Sequence, residues 1–361
     1  MRRFRARPAA MAGLATAAAL VLPACGGGAD ADLASADVPD DAFQAEADLA
    51  GVTSRSIDAS FSDVDDSDDA RVLAPGVELS ITGIAQLDTI TADLYADLTG
   101  SSPGTTDTGE PIEAVHPAEG QTFYAVEYTS DDPQWEPRGE IPDSEVSVAI
   151  DGNAVFEVFD TSEGTMHRGT IVVSVPEDRG PDSAVLEVET DGKFQSLSLI
   201  DGHRVASDVD HIYETVGHGV DVTSAEEFEE TFTGWTGDTQ RMAGSVESAF
   251  VTPWLHRGDG GDGWADAGNV YLSVEMSWAE FSATSFDEST MHLTLDNGKT
   301  VRPDNDPSGL RSAFQSNAVF QIPAGTESVT VVVEPQVKVG AGNSAKVHDW
   351  EPFTAELTVT T

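Results

Sequence analysis

The chain has 361 residues, of which 64 are acidic and 18 are basic, so its formal net charge at pH 7 is −46. Nucleic acids and anionic lipid surfaces are bound through basic patches, and such a charge excludes nucleic acid as a predicted partner. The single cysteine excludes an intramolecular disulfide, so stability must come from core packing.

The N-terminus has the pattern of a secretion signal. Residues 1–7 contain four arginines and no acid, and residues 9–22 are apolar, Gly or Thr. This apolar stretch is shorter than the roughly 20 residues that cross a bilayer as a helix. We therefore predict a signal peptide over residues 1–24 and a processed chain without a membrane-spanning helix.

The segment Leu22-Pro23-Ala24-Cys25-Gly26 resembles the lipobox of bacterial lipoproteins. By that resemblance, the chain is cleaved before Cys25, whose thiol carries a diacylglyceryl group. Two acyl chains anchor a protein stably, since each buried methylene contributes about 0.8 kcal/mol. We expect the protein to be held by Cys25 on the extracytoplasmic face of the cell membrane, with the lipid bilayer as one partner. The alternative is an ordinary cleavable signal followed by an incidental cysteine.

Residues 25–74 are rich in Asp, Ala, Ser and Gly and contain few large apolar side chains. Such a composition buries too little apolar surface to fold, which predicts a disordered acidic linker. The run 63–69 holds five aspartates but lacks the central Gly and terminal Glu of the twelve-residue calcium loop.

From residue 75 onward, short segments alternate apolar and polar residues and are separated by Gly, Pro, Asp and Asn. This period of two is typical of strands with one buried face, and it predicts an all-β fold. Asp151-Gly152 and Asn297-Gly298 predict tight hairpin turns, because these residues accept positive φ.

The predicted strands recur in the same order in two parts of the chain, and each part has the size of an immunoglobulin-type sandwich. The matching segments are 76–88 with 244–256, 121–129 with 268–276, 145–152 with 291–298, 171–189 with 318–334, and 194–200 with 353–359.

In both copies a strand ending in Val-Pro or Ile-Pro is followed by a short loop and a densely apolar strand. In this feature residues 76–361 resemble the immunoglobulin-like domains of actinobacterial secreted antigens and lipoproteins, including a family of unknown function. The resemblance implies two tandem immunoglobulin-like antiparallel β-sandwiches, and it carries over no catalytic residues. The predicted boundaries are 75–205 for the first β-sandwich, 206–240 for an interdomain linker and 241–361 for the second β-sandwich.

Within the predicted linker, Thr223-Ser224-Ala225-Glu226 has the spacing of a capping box. Phe228 and Phe232 share one face of the short helix that would begin there. We expect this helix to pack between the sandwiches; the alternative is a mobile acidic linker.

The sequence has no nucleophile elbow, no zinc-protease helix motif and no phosphate-binding loop, so we predict a protein that is not an enzyme. Imidazoles and carboxylates, which zinc accepts as ligands, crowd into residues 203–221. The candidate metal ligands are His203, Asp208, Asp210 and His211. Ordinary polar loop residues are the alternative, and Ca²⁺ and Zn²⁺ are the only candidate cofactors.

Trp254, Trp264, Tyr271 and Trp278 concentrate beside the glycine-rich loop 258–263. Aromatic side chains carry much of the energy of interfaces, which predicts a surface for a cell-wall glycan or an envelope protein. The alternative is that these rings belong to a sandwich core.

The sequence thus predicts a membrane-anchored binding or adhesion module for an envelope or extracellular partner. Two other functions stay open: a structural surface lipoprotein without a specific ligand, and a divalent-cation-binding protein.

Overall fold

The computed structural model describes residues 42–65, 67–133, 140–164, 167–256, 261–278, 285–304, 317–340 and 345–360. Within these ranges the chain is dominated by antiparallel strands arranged in several sheets, so the all-β prediction is confirmed. Cys25 and the predicted signal peptide lie outside the described residues, and lipidation stays a prediction.

The first strand of the first half, residues 42–207, lies at the edge of a sheet, and this half contains the one α-helix among the described residues. Its strands are β1 (Ala50–Thr53), β2 (Ser62–Asp63), β3 (Arg71–Ala74), β4 (Val77–Leu87), β5 (Ile90–Thr91), β6 (Ala114–Val115), β7 (Gln121–Asp131), β8 (Ser144–Ile150), β9 (Asn153–Asp160), β10 (Arg168–Pro176), β11 (Ala184–Thr190), β12 (Lys193–Ser198) and β13 (Arg204–Ser207). Its helices are α1 (Ala92–Thr99) and 3-10 turns at Asp68–Ala70 and Thr161–Glu163.

Two sheets of the first half pack face to face. One has the order β1-β10-β7-β4-β2, with β3 also paired to β4, and the other has the order β13-β12-β11-β8-β9. Alternate side chains of both sheets form the core, in which Leu79, Ile171 and Leu186 have no accessible surface. Asp151 and Gly152 have φ of 47° and 75° and join β8 to β9, as predicted.

A connecting segment, residues 208–218, contains a 3-10 turn at Asp210–Glu214 and leads into the second half, residues 219–360. The strands of the second half are β14 (Gly219–Ala225), β15 (Phe228–Thr233), β16 (Thr239–Thr252), β17 (Trp254–Leu255), β18 (Gly263–Trp264), β19 (Asn269–Trp278), β20 (Ser285–Asp287), β21 (Thr290–Leu295), β22 (Thr300–Val301), β23 (Ala318–Pro323), β24 (Ser328–Glu334), β25 (Gln336–Val339), β26 (Lys346–Asp349) and β27 (Phe353–Thr360).

The second half follows the strand order of the first. Its sheet β15-β16-β19-β23 contains the succession β16-β19-β23, which corresponds to β4-β7-β10. Its other large sheet has the order β14-β27-β24-β21-β22. Within it, the succession β27-β24-β21-β22 corresponds to β12-β11-β8-β9 of the first half. A separate core that includes Leu272, Phe320 and Val331 lies between these two sheets.

A β-bulge marks the same place in both halves. The β4–β7 ladder shifts between Ile81 and Gly83, and the β16–β19 ladder shifts between Val246 and Ser248. If the two bulges are aligned, Ile81 corresponds to Val246, and Gly244 then corresponds to Leu79. The sequence alignment, which matches Gly244 with Gly76, is therefore displaced along the strand. Sequence similarity missed this register because a bulge changes the apolar alternation within a strand.

Residues 42–74 differ from the flexible linker predicted for residues 25–74. β1 pairs with β10, and β3 pairs with β4. Val72 and Ala74 are completely buried. The segment is polar on average, but two four-residue strands fold here because existing sheets supply their hydrogen bonds and cover their few apolar side chains.

The helix predicted to begin after Thr223 is not formed. Residues 219–225 and 228–233 are strands β14 and β15, which pair with β27 and β16. Glu226 does not complete a capping box; its carboxylate accepts a hydrogen bond from the backbone N–H of Thr354 at 2.7 Å. Pairing with distant strands overrides the local helix signal, as it commonly does for short segments.

Candidate functional site

Trp254 and Trp264 lie in the joint between the two halves and are 2% and 8% exposed. They face each other across β17 and β18 and pack with Leu73 and Ile212. The indole N–H of Trp264 donates to the carbonyl of Thr190 in the first half at 3.0 Å. Both rings therefore hold the two halves together and are not available for stacking on a ligand.

Tyr271 and Trp278 are buried in two other places, at 2% and 5% exposure. Tyr271 packs with Leu255 and Val319, and burial raises the pKa of its hydroxyl. The indole N–H of Trp278 donates to Asp287 at 3.1 Å. The four aromatics do not form one exposed surface, so that prediction is wrong; β19 is covered on both faces, which alternation alone does not show.

The predicted metal ligands do not converge. His203, Asp208 and Asp210 are exposed, while His211 is buried within its 3-10 turn. The Asp208 carboxylate accepts the backbone N–H of Phe194 at 3.0 Å. Across the described ranges, no three His, Cys, Asp or Glu side chains are placed to hold a metal ion. The metal site predicted at these residues is not formed, because nearness along a loop does not direct side chains to one point.

A groove of about 590 Å³ lies in the second half, between β15 and the chain just after β26. We call it the acidic groove, and its lining residues are Glu227, Phe228, Glu229, Glu230, Asp349, Trp350 and Glu351. Five carboxylates and two aromatic rings line this surface, which combines attraction for positive charge with an apolar base.

Packed rings form the base of the acidic groove. The centroid of Trp350 lies 5.8 Å from Phe228 and 6.0 Å from Phe232, both with edge-to-face geometry. His348 stacks on Trp350 at 5.9 Å. Phe228 and Phe232 are buried and Trp350 is partly exposed. The indole is thus fixed by its neighbours while part of its surface faces the groove.

One carboxylate of the acidic groove is neutralised within the protein. Arg241 donates to Glu229 through Nε at 2.8 Å and Nη2 at 2.7 Å, and these hydrogen bonds with their charge lower the pKa of Glu229. The ion pairs among the described residues include no basic partner for Glu227, Glu230 or Glu351. The groove therefore keeps an excess of negative charge.

One wall of the acidic groove is the edge strand β15, whose partner among the described strands is β16. Just beyond β15, the backbone N–H of Gly234 donates to the carbonyl of Asp238 at 2.8 Å. In an antiparallel ladder, bonded and non-bonded positions alternate. Counting back from this bond, the backbone groups that point away from β16 belong to Glu229, Thr231 and Thr233.

Sequence reasoning named Phe228 and Phe232 but placed them on a helix, and it named no other residue of the acidic groove. The available signal was the apolar pair followed by Gly234 and Gly237, which also fits the first strand of a hairpin. Trp350 lies far along the chain, and only the fold brings it beside β15.

Comparisons of the chain with protein families, with curated proteins and with solved structures find no match. Within the described ranges, no helix has both the length and the apolar character that a membrane crossing requires.

Proposed function

We propose that the protein is a lipid-anchored, extracytoplasmic binding module that captures a positively charged envelope or extracellular partner in the acidic groove. The signal-like N-terminus and the lipobox at Cys25 support the location. A stable anchor requires two acyl chains, which a diacylglyceryl group on this cysteine supplies.

The repeated strand order supports a display scaffold made of two tandem immunoglobulin-like sandwiches. Each half has two facing sheets, corresponding strands in the same succession and a bulge at the same place. Sandwiches of this kind present edges and loops on a rigid core, which suits recognition at a surface.

The observation that carries the proposal is the set of carboxylates around the partly exposed Trp350 that have no basic partner among the described residues. Glu227 and Glu230 belong to the chain segment at β15, and Asp349 and Glu351 to the segment at the end of β26. Carboxylates attract a cation from solution, and an indole face adds about 0.5–2 kcal/mol when a cation lies over it. The net charge of the whole chain acts in the same direction.

The test is calorimetric titration of the full chain, purified in mild detergent, with a hexalysine peptide. We expect saturable binding that weakens at least tenfold between 50 and 200 mM salt, on the order expected when exposed charges are screened. The double variant Glu230→Lys with Asp349→Lys should bind at least tenfold more weakly, because it reverses charge on both chain segments that line the groove.

The matched control is Glu177→Lys with Asp178→Lys, an exposed acidic pair in the first half with the same change in charge. It should alter the affinity less than twofold, since neither residue lines the groove. An equal loss in both double variants, or no binding of hexalysine, would overturn the proposal, as would tight binding of a neutral chito-oligosaccharide in the same groove.

A second arm tests the anchor by cell fractionation. Cys25→Ala should leave the protein unprocessed or released into the medium, whereas the unaltered chain stays with the membrane. A mature Cys25→Ala protein that remains on the membrane would contradict lipid anchoring and leave the groove to be judged by titration.

A further inference from the structure

We infer that the partner occupies the acidic groove as an extended peptide with basic side chains, adding a strand to the outer edge of β15, which no described strand covers. This rests on the proposed function and names the class of partner. The first half has a strand in the same place as β15, and its surroundings show what such an edge can bind.

β3 is that strand. It forms a hairpin with β4, as β15 does with β16, and the shared bulge matches Leu79 with Gly244. Val72 pairs with Leu79 and Phe228 pairs with Gly244, so Val72 corresponds to Phe228. One residue further along, Leu73 corresponds to Glu229.

The outer edge of β3 is occupied by side chains from elsewhere in the chain. The backbone N–H of Leu73 donates to the hydroxyl of Tyr213 at 3.2 Å, and its carbonyl accepts from Gln195 at 2.7 Å. Arg204 donates to the carbonyl of Arg71 at 2.9 Å. The backbone of this edge thus forms hydrogen bonds with a phenol hydroxyl, an amide and a guanidinium cation from other parts of the chain.

The corresponding edge of β15 has no strand beside it among the described residues. The residues whose backbone points outward, Glu229, Thr231 and Thr233, are exposed. Unpaired N–H and C=O groups along an edge strand are a template for an extended chain, and peptide recognition by strand addition uses this geometry.

The charges of the acidic groove select which chain can pair there. An added strand directs its side chains alternately to two sides. Glu227, Glu230 and Glu351 lack a basic partner among the described residues, and Trp350 supplies a ring face. A lysine or arginine side chain can pair with these carboxylates and can also lie over the Trp350 ring. A small free cation neutralises the carboxylates but forms no hydrogen bonds with the backbone of β15. An extended basic peptide can do both.

The probe is a hexapeptide of alternating lysine and valine, titrated into the full chain in detergent beside spermidine, which has charge but no peptide backbone. Two further peptides carry N-methyl groups on every lysine amide or on every valine amide. Only every second N–H of an added strand faces β15. One methylated peptide should therefore bind at least tenfold more weakly than the parent, and the other within about threefold.

Equal affinity of all three peptides, or spermidine binding as tightly as the parent peptide, would overturn strand addition while leaving the proposed capture of a cation in place. Failure of both the peptide and spermidine to bind would instead remove the proposed function. The two ideas therefore fail by different results.

The matching change in the protein is Thr231→Pro, which removes an outward N–H without removing a bond to β16. The peptide should bind at least tenfold more weakly to this variant, and spermidine should bind as before. Thr231→Val keeps the N–H and is the control, with peptide affinity within twofold.

Hydrogen exchange of the unaltered protein supplies a readout that does not depend on variants. The bound peptide should slow exchange of the Thr231 amide at least tenfold and leave the amide of Glu230, which faces β16, unchanged. Unaltered exchange at Thr231 in the saturated complex would contradict the inference.

Discussion

β3 and β15 occupy the same place in the two halves, yet their outer edges meet different surroundings. The edge of β3 faces the joint, where Tyr213, Gln195 and Arg204 bond to its backbone. The first three residues of β15, Phe228 to Glu230, line the acidic groove. The comparison shows that the outer edge of one strand position is bonded to side chains in the first half, whereas in the second half no described strand pairs with it.

Polar and apolar contacts together close the joint. The guanidinium of Arg204 lies 3.5 Å from the ring centroid of Tyr213, whose pKa is raised by burial. Trp254 and Trp264 cover the apolar side. A cation on an aromatic ring beside a strand edge is also the arrangement proposed for the groove, where the partner would supply the cation.

The largest effect expected is on the joint. Trp254→Ala removes a ring that is 2% exposed and should lower the free energy of unfolding by about 3–5 kcal/mol, measured with urea. Trp235→Ala, at a ring that is 55% exposed, is the control and should cost less than about 1 kcal/mol. If Trp254→Ala kept full stability and lost ligand binding, the assignment of this ring to the joint would be wrong.

A smaller effect tests the edge of β3 directly. Tyr213→Phe takes away the acceptor of the Leu73 N–H and the donor to Gln195, and should cost about 1–3 kcal/mol because buried polar groups lose their partners. Tyr124→Phe, whose hydroxyl has no hydrogen bond to a described residue, should cost less than about 0.5 kcal/mol. Equal costs in urea denaturation would mean that the joint does not depend on this edge.

The smallest effect expected concerns pH. His211 is 7% exposed and its Nε2 has no hydrogen-bond partner among the described residues. Burial lowers the pKa of His211 below the ordinary value of 6.5 despite the opposing charges of Asp210 and Glu214. Below pH 6.5 the unfolded chain takes up a proton that the folded chain resists. This residue should therefore make stability rise with pH up to about 6.5, by at most about 1.4 kcal/mol per pH unit.

The measurement is the difference in pH slope between the unaltered chain and His211→Gln, which should reduce the slope below pH 6.5. The exposed Ala206 has no titratable group and is the control, and Ala206→Gln should leave the slope unchanged. Identical slopes in all three proteins would show that His211 does not contribute to stability in this window.

The strand content was predictable because alternation is a local property. Val77, Leu79 and Ile81 alternate in the sequence and are buried in the structure. The hairpin at Asp151-Gly152 was predictable for the same reason, since the φ values these residues accept belong to the residues themselves. The strand at Phe228 to Phe232 was not predictable from local pattern. Two apolar residues four positions apart share one face of a helix and also one face of a strand.

The sequence by itself determined the all-β character, the recurrence of strands in two parts of the chain and the excess of negative charge, because each follows from local pattern or from composition. Only the tertiary structure decided that Trp254 and Trp264 seal a joint, that residues 50–53 and 71–74 join sheets, and that Trp350 meets β15 in the acidic groove. These contacts join residues far apart in the chain, and burial of such contacts depends on the packing of whole sheets.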